Sequence, residues 1–441
     1  MPSSSAPSPR TPRRLCPLPD FPTDGCARAA ASASRRTDHV PQTPHDTPGH
    51  AEPAVPASQG PDQTDRVVIA AAEELGVGCP CDMVVVDDAT GELTAFALES
   101  VAEHEDAVVL SWTSSLTLAA ALRERFAAQI EAGRLRVPSG AGEVPLEQAV
   151  AEVEGHLMVL MRLPKAVHAL EDRARRLAEA VRASGQSGLE IVAGGRVKHM
   201  TRAQNEALAT VFEEVRASRG IGKSRALVAT ELREEPPAPA AAEGKTRITV
   251  HGQLRDLALR GIGAVFSAAA ADAGSLLLLD ALDQAMAAGE LGTPEAPVEA
   301  AADLGCGNGL MTAYLAAALP VATVLGSDVD ADAVGSTRET LAANGLEREN
   351  VRVSWDDALS RVDGASLDLV LLNPPFHDGT VVDATLVQGL LDAAARVLRP
   401  GGQLWFVHNS HLRYRTEVER RVGPVQQRAR DRRFTVLSAT R

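Results

Sequence analysis

The stretch Val298-Glu299-Ala300-Ala301-Ala302-Asp303-Leu304-Gly305-Cys306-Gly307-Asn308-Gly309-Leu310 constrains this chain more than any other. A short apolar run leads into three glycines at alternate positions, and an apolar helical segment, 310–318, follows. Glycine takes positive φ without penalty and has no Cβ to hold a ligand off, so Gly305 and Gly307 suit a tight turn against a bound molecule. Gly309 allows the next helix to start close to the sheet. Strand, glycine turn and helix together open a parallel α/β unit. A dinucleotide-binding turn would read Gly-x-Gly-x-x-Gly. Here the third glycine comes one residue early, and Asp303 stands at the strand end. An anion at that point repels a pyrophosphate and suits a cationic ligand.

The pattern continues to the C-terminus, with strands expected at 323–327, 351–354, 367–372, 403–408 and 434–439. The second strand ends in Asp328-Val329-Asp330, about 20 residues beyond the glycine turn, where a ribose diol is expected. Asp328 sits at the strand end and is the first choice, Asp330 the second; a solvated acidic turn is the alternative for each. The third strand leads to Asp356-Asp357-Ala358.

The strand 367–372 ends in Asn373-Pro374-Pro375-Phe376-His377-Asp378-Gly379. Two prolines after a central strand cannot continue the ladder. They fix a rigid loop at the carboxyl edge of the sheet, where open α/β folds bind ligands. An exocyclic amine on an aromatic ring is a poor nucleophile because its lone pair is delocalised. Two acceptors holding its two N–H groups push the nitrogen towards tetrahedral geometry and free that pair. The Asn373 side-chain oxygen and the Pro374 carbonyl are suited to be those acceptors, Pro375 to stiffen the loop, and Phe376 to stack on a planar substrate. His377 is read as shaping the site rather than as a base, since the proton can leave to solvent.

Upstream, residues 1–63 are rich in Pro, Ser, Ala, Arg and Asp, without periodicity, and are expected to be disordered. Residues 64–232 again alternate helices and strands: helix 66–75, strands 83–88, 107–110 and 156–161, helix 164–183, strand 189–195, helix 204–215 and strand 225–230. Residues 233–245 read as a linker, and 246–441 as the second α/β domain. Two successive domains of one class suggest an ancient duplication.

No apolar run approaches the roughly 20 residues that span a bilayer, so no membrane partner is expected and the default compartment is the cytoplasm. Five scattered cysteines form neither a disulfide framework nor a zinc motif, and no metal is expected. A net charge of -14 argues against a generally basic, sequence-blind nucleic-acid coat.

With Asp303 at its strand end, the glycine turn resembles the first motif of class I methyltransferases. Asn-Pro-Pro-Phe occurs in adenine-amine, cytosine-amine and protein-glutamine methyltransferases. The longer string Asn373–Gly379 is narrower, and is similar to the bacterial ribosomal RNA guanine-N2 methyltransferases of both subunit branches. Gly263-Ala264-Val265-Phe266-Ser267 with Asp272 and Gly274, and the stretch 401–412, resemble further motifs of that family. Met161-Arg162-Leu163-Pro164-Lys165, and Ile191–Gly195 with Lys198, are similar to the large-subunit branch. The resemblance covers roughly residues 65–441.

The resemblance implies two tandem Rossmann-like methyltransferase-type domains. The first has lost the glycine motif and would bind RNA or stabilise the second. It implies S-adenosylmethionine as cofactor, held by Asp303, Gly305, Cys306, Gly307, Asn308, Gly309, Asp328 and Asp357. Its ammonium and sulfonium suit Asp303, and Asp357 would accept from the adenine amine; a helix N-cap is the alternative for Asp357. The acceptor would be a guanine of ribosomal RNA or a ribosomal subunit, met by a monomer, with Asn373, Pro374, Pro375 and Phe376 as the catalytic set. A DNA adenine or protein glutamine acceptor, or a non-catalytic RNA-binding role, are the other readings. The chain departs from the family at Ala268–Ala271, where charged residues are usual. An RNA enzyme this acidic needs a local basic surface. Arg413, Arg415, Arg420, Arg421, Arg428, Arg430, Arg432 and Arg433 offer one, unless they are merely a solvated face, and Lys165, Arg196, Lys198, Lys223 and Arg225 a second.

Overall fold

The structure, a computed structural model, describes residues 60–76, 82–104, 106–138, 144–153, 155–374 and 384–441. The first half builds α1 (Gln63–Leu75), β1 (Asp82–Val86), α2 (Glu92–Ser100), β2 (Val109–Trp112), α3 (Leu116–Arg125), α4 (Ala127–Glu131) and β3 (Leu135–Arg136). It continues with α5 (Leu146–Ala151), β4 (His156–Arg162), α6 (Val167–Ser184), β5 (Gly188–Arg196), α7 (Arg202–Ala209), β6 (Phe212–Ala217) and β7 (Ser224–Leu232). The second half begins with β8 (Ala242–Val250), β9 (Gln253–Gly261), α8 (Ala273–Ala287), β10 (Ala300–Leu304), α9 (Leu310–Ala318), β11 (Thr323–Asp328) and α10 (Ala331–Ala343). It ends with β12 (Val351–Trp355), β13 (Leu367–Leu372), α11 (Ala384–Val397), β14 (Leu398–Asn409), α12 (Arg415–Arg421), β15 (Val425–Arg430) and β16 (Phe434–Thr440).

The two halves form sheets of one topology, β3-β2-β1-β4-β5-β7-β6 and β12-β11-β10-β13-β14-β16-β15. In each, six strands run in one direction, and one, β7 or β16, lies antiparallel between two of them. All six residues of β13 are buried, as a strand covered by helices on both faces requires. The strand order reverses between β10 and β13, which opens a crevice at their carboxyl ends.

In the first sheet an acidic turn stands where the second has the glycine turn. Val86 pairs with Trp112 and Leu304 with Ser327, and the next residue donates its N–H to that partner's carbonyl in both sheets, Asp87 to Trp112 and Gly305 to Ser327. Val85 thus stands where Asp303 stands, and Asp87, at φ 53°, where Gly305 does. The Asp88 carboxylate is fully buried and accepts the Gly91 N–H at 2.9 Å and the Thr94 N–H and hydroxyl, each at 2.8 Å. The acid fills its own turn and caps α2.

Three expectations need correction. The tail was expected to run to residue 63, yet Asp62 caps α1 by accepting from Thr64 and Asp65, and Gln63 opens the helix. The expected helix 204–215 ends at Ala209, and Phe212–Ala217 pairs antiparallel with β7. Phe212 and Val215 are as much strand formers as helix formers, and cross-strand pairing decides between them. The linker 233–245 yields its last four residues to the β8–β9 hairpin, whose turn places His251 and Gly252 at φ 51° and 73°. Residues 1–59, and Pro375, Phe376 and His377 through Gly379, lie outside the described residues. Among the described residues no helix is long and apolar enough to cross a membrane.

Candidate active site

A pocket of about 450 Å³ lies in the crevice of the second sheet. Its lining includes Gly305, Cys306, Gly307 and Asn308 from the glycine turn, Asp328 and Asp330 after β11, Asp357 after β12, and Asn373 and Pro374 after β13. Four strand ends, more than 60 residues apart in sequence at the extremes, thus meet at one cavity. Neither Asp303 nor Gly309 is in the lining.

Gly305 and Gly307 have φ of 85° and 53°, and a Cβ on either would meet nothing within 4 Å. The turn needs glycine for its backbone, and leaves its pocket side open. Gly309 differs: a Cβ there would lie 2.8 Å from the Thr337 Cα. The close approach is therefore to α10 rather than to the sheet. Two hydroxyls of α10 hold the turn from behind, Thr337 donating to the Gly307 carbonyl at 3.1 Å and Thr340 to that of Asn308 at 2.8 Å. The Asn308 amide is spent on the protein. Its amide donates to the carbonyls of Ala268 and Ala270 at 3.0 and 2.9 Å, tying the turn to the alanine segment that departs from the family pattern. Burial pushes the Cys306 thiol well up, so it lines the wall as a small neutral group.

The acids divide by environment. Asp303 is fully buried; its Oδ2 accepts the Thr312 hydroxyl at 2.7 Å, and Oδ1 has no hydrogen-bond partner among the described residues. Burial pushes its carboxyl up to about 7, against the Thr312 hydrogen bond and with help from the charge on Asp328. Asp328 accepts the N–H groups of Gly307 and Asp330, each at 3.0 Å, and burial raises it too. Asp330 caps α10 through the Asp332 N–H. Asp357 is exposed at the rim, while its buried neighbour Asp356 accepts the Ser360 hydroxyl and the Arg361 N–H. Residues 357–361 form a bend and turns, and no helix lies between β12 and β13 among the described residues, so the helix N-cap that was the alternative for Asp357 does not apply.

Asn373 is held by two residues of α8's first turn. Its Nδ2 donates to Asp272 Oδ2 at 2.9 Å and to Ser275 Oγ at 2.8 Å. A carboxylate only accepts, so the amide nitrogen must face Asp272 and Oδ1 must face away from it. Both amide donors are spent on the protein, and Oδ1 accepts no hydrogen bond among the described residues.

The two halves match two family models, the RLMG N-terminal domain over residues 56–233 and the methyltransferase small domain over 256–438. A ribosomal RNA large subunit methyltransferase G from Pseudomonas aeruginosa is 32% identical over 381 residues, covering 86% of this chain and 92% of that protein. This chain belongs to the ribosomal RNA large subunit methyltransferase G family. A family member from Streptomyces avermitilis is 32% identical over 64% of this chain and 71% of its own length. A T. thermophilus 16S rRNA N2 methyltransferase, solved with AdoMet and guanosine, shares the fold at a TM-score of 0.61 and 23% identity, over 86% of this chain and 92% of that one.

The chain is a class I methyltransferase, and S-adenosylmethionine is its methyl donor. The pocket fits that cofactor: an open glycine cradle, an orphaned carboxylate oxygen behind it for a cation, and a strand-end acid for a diol. Sequence reasoning missed the hydroxyl supports Thr312, Thr337 and Thr340, and Ser275 beside Asn373. Asp272 was noted only as part of a motif. Asp272→Asn tests its part: the new amide offers an N–H to Asn373 and lets its side chain flip. We expect kcat to fall about 10²-fold, as for a misplaced catalytic group, with cofactor affinity within a few fold in calorimetry. An unchanged kcat would remove Asp272 from the account.

Proposed function

We propose that this protein methylates the exocyclic N2 amine of a guanine in ribosomal RNA. The observation that carries the reading is the fixed amide of Asn373, which offers a bare acceptor to the pocket next to the glycine turn. S-adenosylmethionine supplies an electrophilic methyl group. The Asn373 Oδ1 and the Pro374 carbonyl each accept one N–H of the amine, which turns its lone pair out of the ring. The methyl group that the bound cofactor would supply goes to that freed lone pair, and one N–H proton passes to solvent. Pro375 and Phe376 complete the loop, Phe376 by stacking on the base. Asp303, Asp328 and Asp357 hold the cation, the ribose and the adenine. Residues 64–232 and 246–441 act as a degenerate and a catalytic domain of one monomeric cytoplasmic enzyme.

The named activities of the relatives support a ribosomal RNA substrate, and the large-subunit name of the Pseudomonas protein favours that subunit. The charge distribution agrees. Arg420 and Arg421 pair with Glu417, Arg421 also with Asp392, Arg428 with Glu290, and Arg415 donates to the Val425 carbonyl. Arg413, Arg430, Arg432 and Arg433 are exposed and make no ion pair among the described residues. They flank the Asn409–Phe434 end of the sheet, the same edge as Asn373. That gives an acidic chain a local phosphate-binding face. A base in folded RNA would be extruded from there into the pocket. The test is transfer of labelled methyl to unmethylated ribosomal RNA, followed by nucleoside analysis. N2-methylguanosine is expected; label on adenine, or on a protein glutamine, would overturn the reading.

A further inference from the structure

The carboxyl edges of the two sheets meet. Leu116 donates its N–H to the Val329 carbonyl at 2.9 Å and Ala331 to that of Ser114 at 2.8 Å, a β-bridge between the loop after β2 and the loop after β11. The Trp355 indole N–H is shared between the carbonyls of Val329, at 2.8 Å, and Ser114, at 3.1 Å. The N-terminal domain therefore touches the same loop that carries Asp328 and Asp330.

One side chain crosses this junction with charge. Arg173 of α6 is 2% exposed and lies 4.6 Å from the centre of the Trp112 ring. Its Nη1 and Nη2 donate to the two carboxylate oxygens of Asp332, at 3.1 and 2.7 Å, and its Nε donates to Asp87 at 3.3 Å. From Asp332 the bonding runs straight to the pocket. The Asp332 N–H donates to Asp330 Oδ1 at 2.8 Å, the Asp330 N–H to Asp328 Oδ1 at 3.0 Å, and Asp328 Oδ2 takes the Gly307 N–H. On its other side Asp332 Oδ2 receives the Ala264 N–H at 3.4 Å. Gly263 lies so close that a Cβ there would sit 2.0 Å from the same oxygen. Ala264, Gly307, Asp328 and Asp330 all line the pocket. Asp332 thus joins two of its walls, and Arg173 fixes Asp332 with a bidentate fork.

We infer that Arg173, contributed by the N-terminal domain, is a positioning residue for S-adenosylmethionine binding, acting through Asp332 on the Asp328–Asp330 loop and the Gly263–Ala264 turn. Asp328, Asp330 and Asp332 crowd like charges onto one strand end, and an arrangement of that kind keeps its geometry only with a cation against it. The degenerate domain lacks the glycine turn, yet in this reading it is part of the cofactor site of its neighbour. The inference rests on the placement of the cofactor ribose beside Asp328.

The test is calorimetric titration of S-adenosylmethionine into the full chain. Arg173→Met is expected to weaken binding about tenfold. Arg173→Lys, which keeps the charge but not the fork, is expected to weaken it about threefold, and carries the test if the methionine variant fails to fold. Asp332→Asn should match Arg173→Met, and the double variant should be no weaker than either alone. Leu177→Ala, a core truncation on the same helix that leaves the junction intact, should destabilise the N-terminal domain and keep wild-type affinity. Wild-type affinity in the Arg173 variants, or an equal loss in Leu177→Ala, would overturn the inference. Asp328→Ala is run beside them. If it loses affinity while Arg173→Met does not, only the coupling is wrong; if it binds normally, the ribose placement falls as well.

Discussion

Asn373→Ala is expected to lower kcat by about 10³-fold while changing the S-adenosylmethionine Kd by no more than a few fold. The magnitude follows from removing one fixed hydrogen-bond partner of the reacting group, an interaction that strengthens as charge develops. The selectivity follows from geometry. Asn373 bonds to Asp272 and Ser275, and its free oxygen faces the substrate side, so the glycine turn and the strand-end acids stay in place without it. Stability should fall only modestly, because the lost donors leave Asp272 with its bond to the Ser275 N–H. Single-turnover kinetics with prebound cofactor separates the chemical step from binding. A variant that transfers methyl at the normal rate would end the amine-gripping account.

Asp303→Ala is expected to weaken cofactor binding about 10²-fold, the scale set by leaving a buried charge without its partner. The free protein holds this carboxyl at about 7, chiefly through burial. A cation beside it favours the ionised form, so binding must expel a proton from any molecule in which Asp303 is protonated. Affinity should therefore improve as pH rises towards about 7 and level off above it, by up to about tenfold per pH unit on the acid side. The sign is opposite for folding. A carboxyl raised from 3.8 costs stability once ionised, so the free protein should lose stability as pH climbs through the window from about 4 to 7, and the cofactor should restore it. Asp303→Asn keeps an acceptor for Thr312 and should flatten the pH dependence of binding. A pH profile that survives in Asp303→Asn would assign the titration to another group, such as Asp330, which burial and its acidic neighbours also raise to about 7.

The parts of the site that were legible are those where the backbone dictates residue type. Positive φ at Gly305 and Gly307 admits few residues besides glycine, and a strand ending in Pro374 cannot extend, so both turns stand out in the sequence. Fully buried strands such as β13 were legible as continuous apolar runs. Helices α2 and α3 were not, because their Ala- and Leu-rich segments lack a sharp polar face. The supports of the site were illegible for a different reason. Thr312, Thr337, Thr340 and Ser275 are ordinary helical hydroxyls until the fold sets them against the glycine turn, Asp303 and Asn373. Arg173 and Asp332 are 159 residues apart and share no motif. Gly309 was read against the wrong neighbour, since a sequence shows that space is needed but not which element fills it.

The central claim is that a guanine amine in ribosomal RNA is the acceptor, and mass spectrometry of ribosomal RNA nucleosides from cells lacking this gene tests it most directly. The account predicts loss of N2-methylguanosine at one position, restored by the wild-type gene and not by the gene carrying Asn373→Ala. An unchanged N2-methylguanosine content in the deletion strain, or full restoration by Asn373→Ala, would contradict it.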